Sequence, residues 1–376
     1  MKMKPLTAFC ALNMGQSPSS ETYNEKNVGL PFFQGNADFG EVHPKVRIWC
    51  SSPVKVAASG DILISVRAPI GAMNIANAPC CIGRGLAALS PNPDTCVQEY
   101  LYYALQSRID SLIAQGTGST FKAIGKKTLE DTQIPAYSLD EQQIISDTLS
   151  ETDQLISKAK AQVSLLDQLV KSRFVEMFGE NVPTVRLGSV CQMINGDRGK
   201  NYPSGEDFVP MGIPFVNAGH LQEGRVDFSS MNYITEEKYA LLSQGKMRRN
   251  DILYCLRGSL GKHGLVDFER GAVASSLVIL RCNEQRILPQ FLFYAIETPE
   301  IEKQLKAANN GSSQPNLSAA SVKAYNIKLP SINKQTEFAA FVAEVDKSKF
   351  SLKNGRKEAC FAVKYIWESL CRGILI

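Results

Sequence analysis

Residues 140–178 read DEQQIISDTLSETDQLISKAKAQVSLLDQLVKSRFVEMF, with no Gly or Pro. Apolar residues recur there at alternating steps of four and three. In the seam Ile145, Leu149, Thr152, Ile156, Ala159, Val163, Leu166, Val170, Arg173 and Met177, only Thr152 and Arg173 are not apolar. A seam sustained this long predicts a coiled-coil helix, a rod of roughly 58 Å at 1.5 Å per residue. Such a helix cannot cover its own apolar stripe, so it needs a partner. Shifting the seam by 193 positions finds one in residues 333–371: Phe338, Val342, Val345, Lys349, Leu352, Arg356, Ala359, Val363, Ile366 and Leu370. Only Lys349 and Arg356 are charged, and Gly355 weakens this second helix by about 1 kcal/mol relative to Ala. Two unrelated amphipathic helices are the alternative, and the matching phase and length favour pairing.

The rest of the chain is also written twice. LTAFCALNMGQSPSS from Leu6 aligns with LGSVCQMINGDRGKN from Leu187, placing Gly15 on Gly196. LPFFQGNADFG from Leu30 resembles IPFVNAGHLQEG from Ile213. GDILISVRAPIG matches NDILYCLRGSLG, with Asp61 on Asp251 and Arg67 on Arg257. YLYYAL from Tyr100 matches FLFYAI from Phe291, and GSTFKAIGKKTLEDTQIP corresponds to GSSQPNLSAASVKAYNIKLP. Each copy enters its long helix through a polar cap, SLDEQQ from Ser138 or SINKQT from Ser331. The β-rich runs DILIS, LAALS, DILYCL and SLVILR, set between Gly, Pro and Asn turns, predict a mixed unit. One amphipathic helix is expected over 97–113 and one over 288–305. The order is globular unit, long helix, globular unit, long helix: residues 1–138, 139–179, 180–331 and 332–376. Antiparallel helices would set the globular units at opposite ends, but this order leaves the direction of pairing open.

Composition limits function. With 376 residues, 44% hydrophobic and 21% charged, the chain has length for two or three cores. A net charge of +4 permits a polyanion partner without requiring one. Ten cysteines include the pair Cys80 and Cys81 but no C-x-x-C, which argues against zinc and against a redox dithiol. The N-terminus has no secretory pattern and no run of about 18 apolar residues occurs, so a reduced cytoplasmic setting without a membrane is expected. Catalytic motifs are missing. GSTFKAIGKKT mimics a phosphate-binding loop but has Thr120 where that loop needs Gly and Lys127 where it needs Ser or Thr. No G-x-G-x-x-G follows a strand, and NPDT at Asn92 lacks the second Pro and the aromatic residue of an amino-methyltransferase motif. With three histidines, none near a paired Cys or carboxylate motif, little is left for nucleophilic or metal catalysis.

Polar loops carry the binding candidates. Residues 116–127 and 309–316 hold Ser119, Thr120, Lys122, Ser312, Ser313, Gln314 and Asn316, whose donors suit phosphates and base edges as well as a solvated loop. The early loops hold Gln16, Ser17, Arg198, Lys200 and Asn201, either as contacts or as ordinary turn residues. Arg67 and Arg257 end their strands, either reaching outward or pinning a turn through carbonyls and Asp61 or Asp251. Arg84, Lys262 and His263 are weaker candidates, and His220 is as readily structural.

The G-D-I-L-x-S-x-R-like strand and turn, the GST loop leading through I-P or L-P, and the E-Q or K-Q helix entry together resemble the DNA-specificity subunit of type I restriction–modification systems. The resemblance covers essentially the whole chain. GSSQPNLS and KQTEF in the second copy depart from GSTFKAIG and the usual E-Q entry, which touches individual residue roles. It implies an α+β fold of two mixed target-recognition domains separated by an antiparallel coiled coil, pseudo-two-fold symmetric, with the helices as a ruler between two readers. A rod of that length exceeds the roughly 34–36 Å of one DNA turn. It further implies a non-catalytic subunit reading a bipartite site in double-stranded DNA and binding no cofactor itself. Two methyltransferase subunits using S-adenosylmethionine, and restriction subunits using ATP and Mg, would be its partners. The rivals are a scaffold built on a helical hairpin without nucleic acid, and the detached recognition module of a fused methyltransferase–nuclease.

Overall fold

The computed structural model describes residues 2–118, 122–179, 181–309 and 316–372. Its plan follows from two strands that are buried throughout. Ile62, Leu63 and Ile64 are fully buried in the strand Ile62–Ser65, as are Ile252, Leu253 and Cys255 in Ile252–Cys255. A strand can bury both faces only when each is covered. In the first copy Ile62 and Ile64 pack with Tyr100, Leu101 and Leu105 of the helix Gln98–Gln106. Leu63 packs on the other face with Phe33 and Ile82 of a second sheet. The second copy repeats the sandwich: Ile252 and Tyr254 meet Phe291 and Leu292, while Leu253 and Cys255 meet Val216 and Val273.

The sheets repeat as well. Cys10–Met14, Leu86–Pro91, Ile62–Ser65 and Met73–Ile75 lie in that order, antiparallel, with Ala88 between Asn13 and Leu63. The matching strands of the second copy are Cys191–Asn195, Leu277–Cys282, Ile252–Cys255 and His263–Leu265, where Ile279 lies between Ile194 and Leu253. In the second sheet of each copy one parallel pairing recurs, Phe32 with Cys81 and Phe215 with Ala272.

The single helices expected over 97–113 and 288–305 are each split in two. Gln98–Gln106 is followed by Ile109–Ala114, and Pro289–Ala295 by Pro299–Ala308. Pro299 cannot donate a backbone hydrogen bond and so starts a new helix. In the first copy the Ser107 hydroxyl turns back to the Ala104 carbonyl at 2.7 Å, where the first helix ends.

The long helices are Leu139–Phe178 and Ile332–Arg372, and the second continues through Gly355. Every described member of both seams is buried or half-buried. The chain divides into two units, Met1–Ala161 with Lys353–Ile376 and Gln162–Leu352, so each unit owns a stretch of both helices. In the first unit Ile145 and Leu149 share a core with Tyr100 and Trp367, and the last two rings lie 5.8 Å apart. In the second unit Phe174, Phe178, Phe291 and Phe338 form a knot with ring centroids 5.0–5.7 Å apart. There the helices run antiparallel: Lys349 reaches Asp167 at 2.6 Å, and Arg173 lies 3.7 Å from Glu337. The charged seam positions Lys349 and Arg173 thus bridge from one helix to the other.

One polar device ties each helix to its sheet unit. Gln142 and Gln335 are 0% exposed. The Gln142 carboxamide donates to the Thr95 and Tyr137 carbonyls and accepts from the Val97 N–H. Gln335 donates to Arg286 and Pro330 and accepts from Leu288. Around them Ser138 and Glu141 cap the first helix reciprocally.

Replacing Gln335 by Ala removes a buried carboxamide and leaves the Arg286 and Pro330 carbonyls and the Leu288 N–H, all partly buried, without it; the cost is expected to be about 2 kcal/mol. The exposed Lys334→Ala should cost less than about 0.5 kcal/mol. Chemical-denaturation midpoints of the two variants compare them directly. Lys349→Leu is expected to be neutral or stabilising in the same measurement, because its removal spares the burial of a charge in a largely apolar seam.

Candidate functional site

In each unit the central strand ends in a turn whose tip is an arginine. Ser65 Oγ donates to the Arg67 carbonyl at 2.9 Å, and in the second copy Cys255 Sγ does the same for Arg257, also at 2.9 Å. Burial pushes the Cys255 thiol up, so it stays protonated and able to donate. Each turn closes with a glycine N–H donating back to the strand, Gly71 to Ser65 and Gly261 to Cys255. Both glycines have left-handed φ, +91° and +78°, which favours a residue without Cβ. Both arginine side chains are exposed. The turn-pinning alternative is filled by other groups. Asp251 accepts both Arg281 Nε at 2.9 Å and Nη2 at 2.7 Å, and Asp61 accepts the Ala58 N–H at 2.8 Å.

Neighbouring loops gather beside each tip. In the first unit the Gly15 N–H donates to Leu86 O, the Arg84 N–H to Ser17 Oγ and the Ala68 N–H to Lys122 O. Val66 bridges these segments, donating to Gly85 and accepting from Ile124. This ladder brings Gln16, Ser17, Arg67, Arg84 and Lys122 to one end of the sheet, all exposed except the half-buried Ser17. Ser119 and Thr120 lie outside the described residues, as do Ser312, Ser313 and Gln314 in the second copy.

In the second unit Arg257 pairs with Asn316 as an antiparallel bridge, and Arg198 Nη2 donates to Ser275 O at 3.3 Å. These three residues border a cleft of about 310 Å³ that is also lined by Asn195, Gln244 and Ser318. The last three are absent from the sequence-derived set. Gly196 carries the loop there: a Cβ on it would stand 2.4 Å from Ala274 O, and one on Gly245 would stand 2.9 Å from Gly196 Cα. Asp197 staples this loop internally, accepting from Gly199 N–H at 2.7 Å, Ser243 N–H at 2.7 Å and Ser243 Oγ at 2.9 Å. The Gly199 N–H does most to hold this carboxyl below the usual carboxylate range, with Ser243 adding to it against the opposing effect of burial.

Other candidates lie apart from the cleft. Lys200 is exposed on the same loop, while Asn201 spends its amide on the Leu241 carbonyl at 2.9 Å. Lys262 is half-buried and turned to Ala218 O at 3.4 Å. His220 is structural: Nδ1 accepts the Asn217 N–H, so Nε2 carries the proton that faces Ser230 O at 3.1 Å. His263 sits within the fold beside Tyr254 and Phe293, where burial lowers its pKa and favours the neutral ring. Among the described residues no three His, Cys, Asp or Glu side chains are grouped to hold a metal ion, and no helix is long and apolar enough to cross a membrane.

A sheet-and-helix unit made twice, each copy tipped by an exposed arginine and built onto its own stretch of both long helices, defines a tandem protein with two equivalent polar ends of sheet. Residues 1–165 and 179–360 match the family model described as Type I restriction modification DNA specificity domain. Over 153 residues the chain is 43% identical to the putative type I restriction enzyme MjaX specificity subunit of Methanocaldococcus jannaschii, spanning 40% of this chain and 36% of that relative. A match of 341 residues at 21% identity covers 82% of this chain and 72% of the type I restriction enzyme EcoBI specificity subunit of Escherichia coli. In fold the chain is similar to the crystal structure of the type I restriction–modification system S subunit from M. genitalium, at TM-score 0.57 and 17% identity over 98% of this chain and 95% of that one. The chain belongs to the type I restriction modification DNA specificity family.

Asp197→Ala is expected to free the Gly199 and Ser243 amides and speed their hydrogen exchange, while central strand amides such as Leu253 stay protected. Because the folded pKa is depressed, this stabilisation is complete at neutral pH and is lost as pH falls through the folded pKa, below the ordinary carboxylate range.

Proposed function

We propose that this chain is the DNA-reading subunit of a type I restriction–modification assembly, recognising one half of a split duplex site with each globular unit. Residues 1–138 and 180–331 are the two readers, and 139–179 and 332–376 are helical spacers that set the gap between the halves. The observation that carries the reading is the duplicated arginine-tipped turn: Arg67 and Arg257 are presented by the same hydrogen bonds in a chain of the DNA specificity family. Donors ranged around each tip, Gln16, Ser17, Arg84 and Lys122 in one copy and Arg198 and Asn316 in the other, with Lys200 exposed on the Arg198 loop, suit phosphates and base edges. Different residues at the two tips allow the two halves to differ in sequence.

The chain supplies recognition and scaffolding in the cytoplasm, and the chemistry lies with its partners. Two methyltransferase subunits would use S-adenosylmethionine, and restriction subunits would use ATP and Mg. Support for docking comes from large apolar side chains on the outer faces of the long helices: Ile144, Leu155 and Phe361 in the first unit, Leu165 and Phe350 in the second. Single exposed apolar residues are ordinary, but a row of them along a helix that has already buried its seam suits a protein surface.

The full chain is expected to bind duplex DNA with a log-affinity that falls linearly and steeply with log salt, and more tightly with methyltransferase bound. Mobility shifts across a salt series, with and without methyltransferase, measure both. A flat salt dependence would favour the nucleic-acid-free scaffold.

A further inference from the structure

The second unit's cleft carries a base preference, an inference that rests on the DNA-reading role proposed above. Its described polar lining consists of the guanidinium groups of Arg198 and Arg257, the carboxamides of Asn195, Gln244 and Asn316, and Ser318, with no carboxylate. The acid next to Arg198 is already engaged: the two Asp197 oxygens accept from Gly199 and Ser243.

That inventory discriminates between bases. A guanidinium is a donor-only fork, and two acceptors on one major-groove edge, O6 and N7, mark guanine. A carboxamide both donates and accepts, which matches N7 and N6 of adenine, whereas the cytosine amino group is best met by a carboxylate. Arg198 spends one of its nitrogens on Ser275 O, while Arg257 is exposed and engages no described side chain. Arg257 and Asn316 are directly opposed on adjacent backbone segments. Side chains opposed in this way start about 5 Å apart, near enough to fall on successive base pairs of 3.4 Å rise. We propose that Arg257 and Asn316 read two adjoining purines, a guanine and an adenine, in the half-site taken by the second unit.

Both residues are exposed, so substitutions there leave the core intact. The test is selection from a randomised duplex library by the full chain, alone and with methyltransferase subunits bound, for the parent and two variants. Thermal unfolding serves as the folding control. The parent should enrich two separated blocks, one holding an adjoining guanine and adenine. Arg257→Lys keeps the charge but loses the fork, and should flatten the guanine preference roughly tenfold or more while the other block is untouched. Asn316→Asp should move the neighbouring preference from adenine to cytosine. Blocks without the adjoining purines, or preferences unmoved by either variant while affinity merely falls, would overturn the proposal and leave DNA reading standing. No enrichment in either arm, together with binding indifferent to salt, would overturn both.

Discussion

Two glutamines with no access to water govern how this molecule is put together. A buried carboxamide without partners is costly, so Gln142 and Gln335 are tolerable only while three chain segments stay in register around each. Those segments are the entry to a short helix, the loop before it and the turn into a long helix. The phenylalanine knot in the second unit and the Tyr100–Trp367 contact in the first join helix to sheet through apolar rings. Apolar contact accepts a range of angles, whereas hydrogen-bond geometry does not. The angle at which each sheet unit meets its own stretch of long helix is therefore set by polar atoms inside an apolar shell.

The two copies keep this framework and change what it carries. Asp61 and Asp251 each accept a backbone N–H three residues earlier, and Gly71 and Gly261 close equivalent turns. Serine and cysteine exchange as donors to the arginine carbonyl with the same 2.9 Å separation. At the tips the similarity ends: Gln16 and Ser17 stand where the second copy has Asp197 and Arg198. Asp197 turns inward to brace its loop, which throws Arg198 outward. One scaffold thereby offers two different arrays of donors.

Elements with a strong period were legible before any coordinates. The long helices announced themselves because a seam of period 3.5 has one good solution, and even the charged Lys349 and Arg173 sit on it. The split of each shorter helix was half legible: Pro299 is a plain break, but neither a proline nor a glycine marks the end at Ser107. The cleft was least legible. Asn195, Gln244 and Ser318 are far apart in sequence and meet only because ladder pairing and the tight Gly196–Gly245 approach bring their loops together. Comparing the copies hides Asn195, since Met14 occupies the matching position. The glycine preceding Asp197 was the available clue, because a glycine conserved in both copies at a strand end marks a close backbone approach.

Trp367 has an effect on the order of events at the ribosome. It belongs to the core of the first unit, packed with Tyr100 and Leu149, yet it is made more than two hundred residues after them. Every described core residue of the second unit lies between Gln162 and Leu352 and emerges before it. The unit translated first is thus the last to close, and its apolar flank stays open until Trp367 has been made.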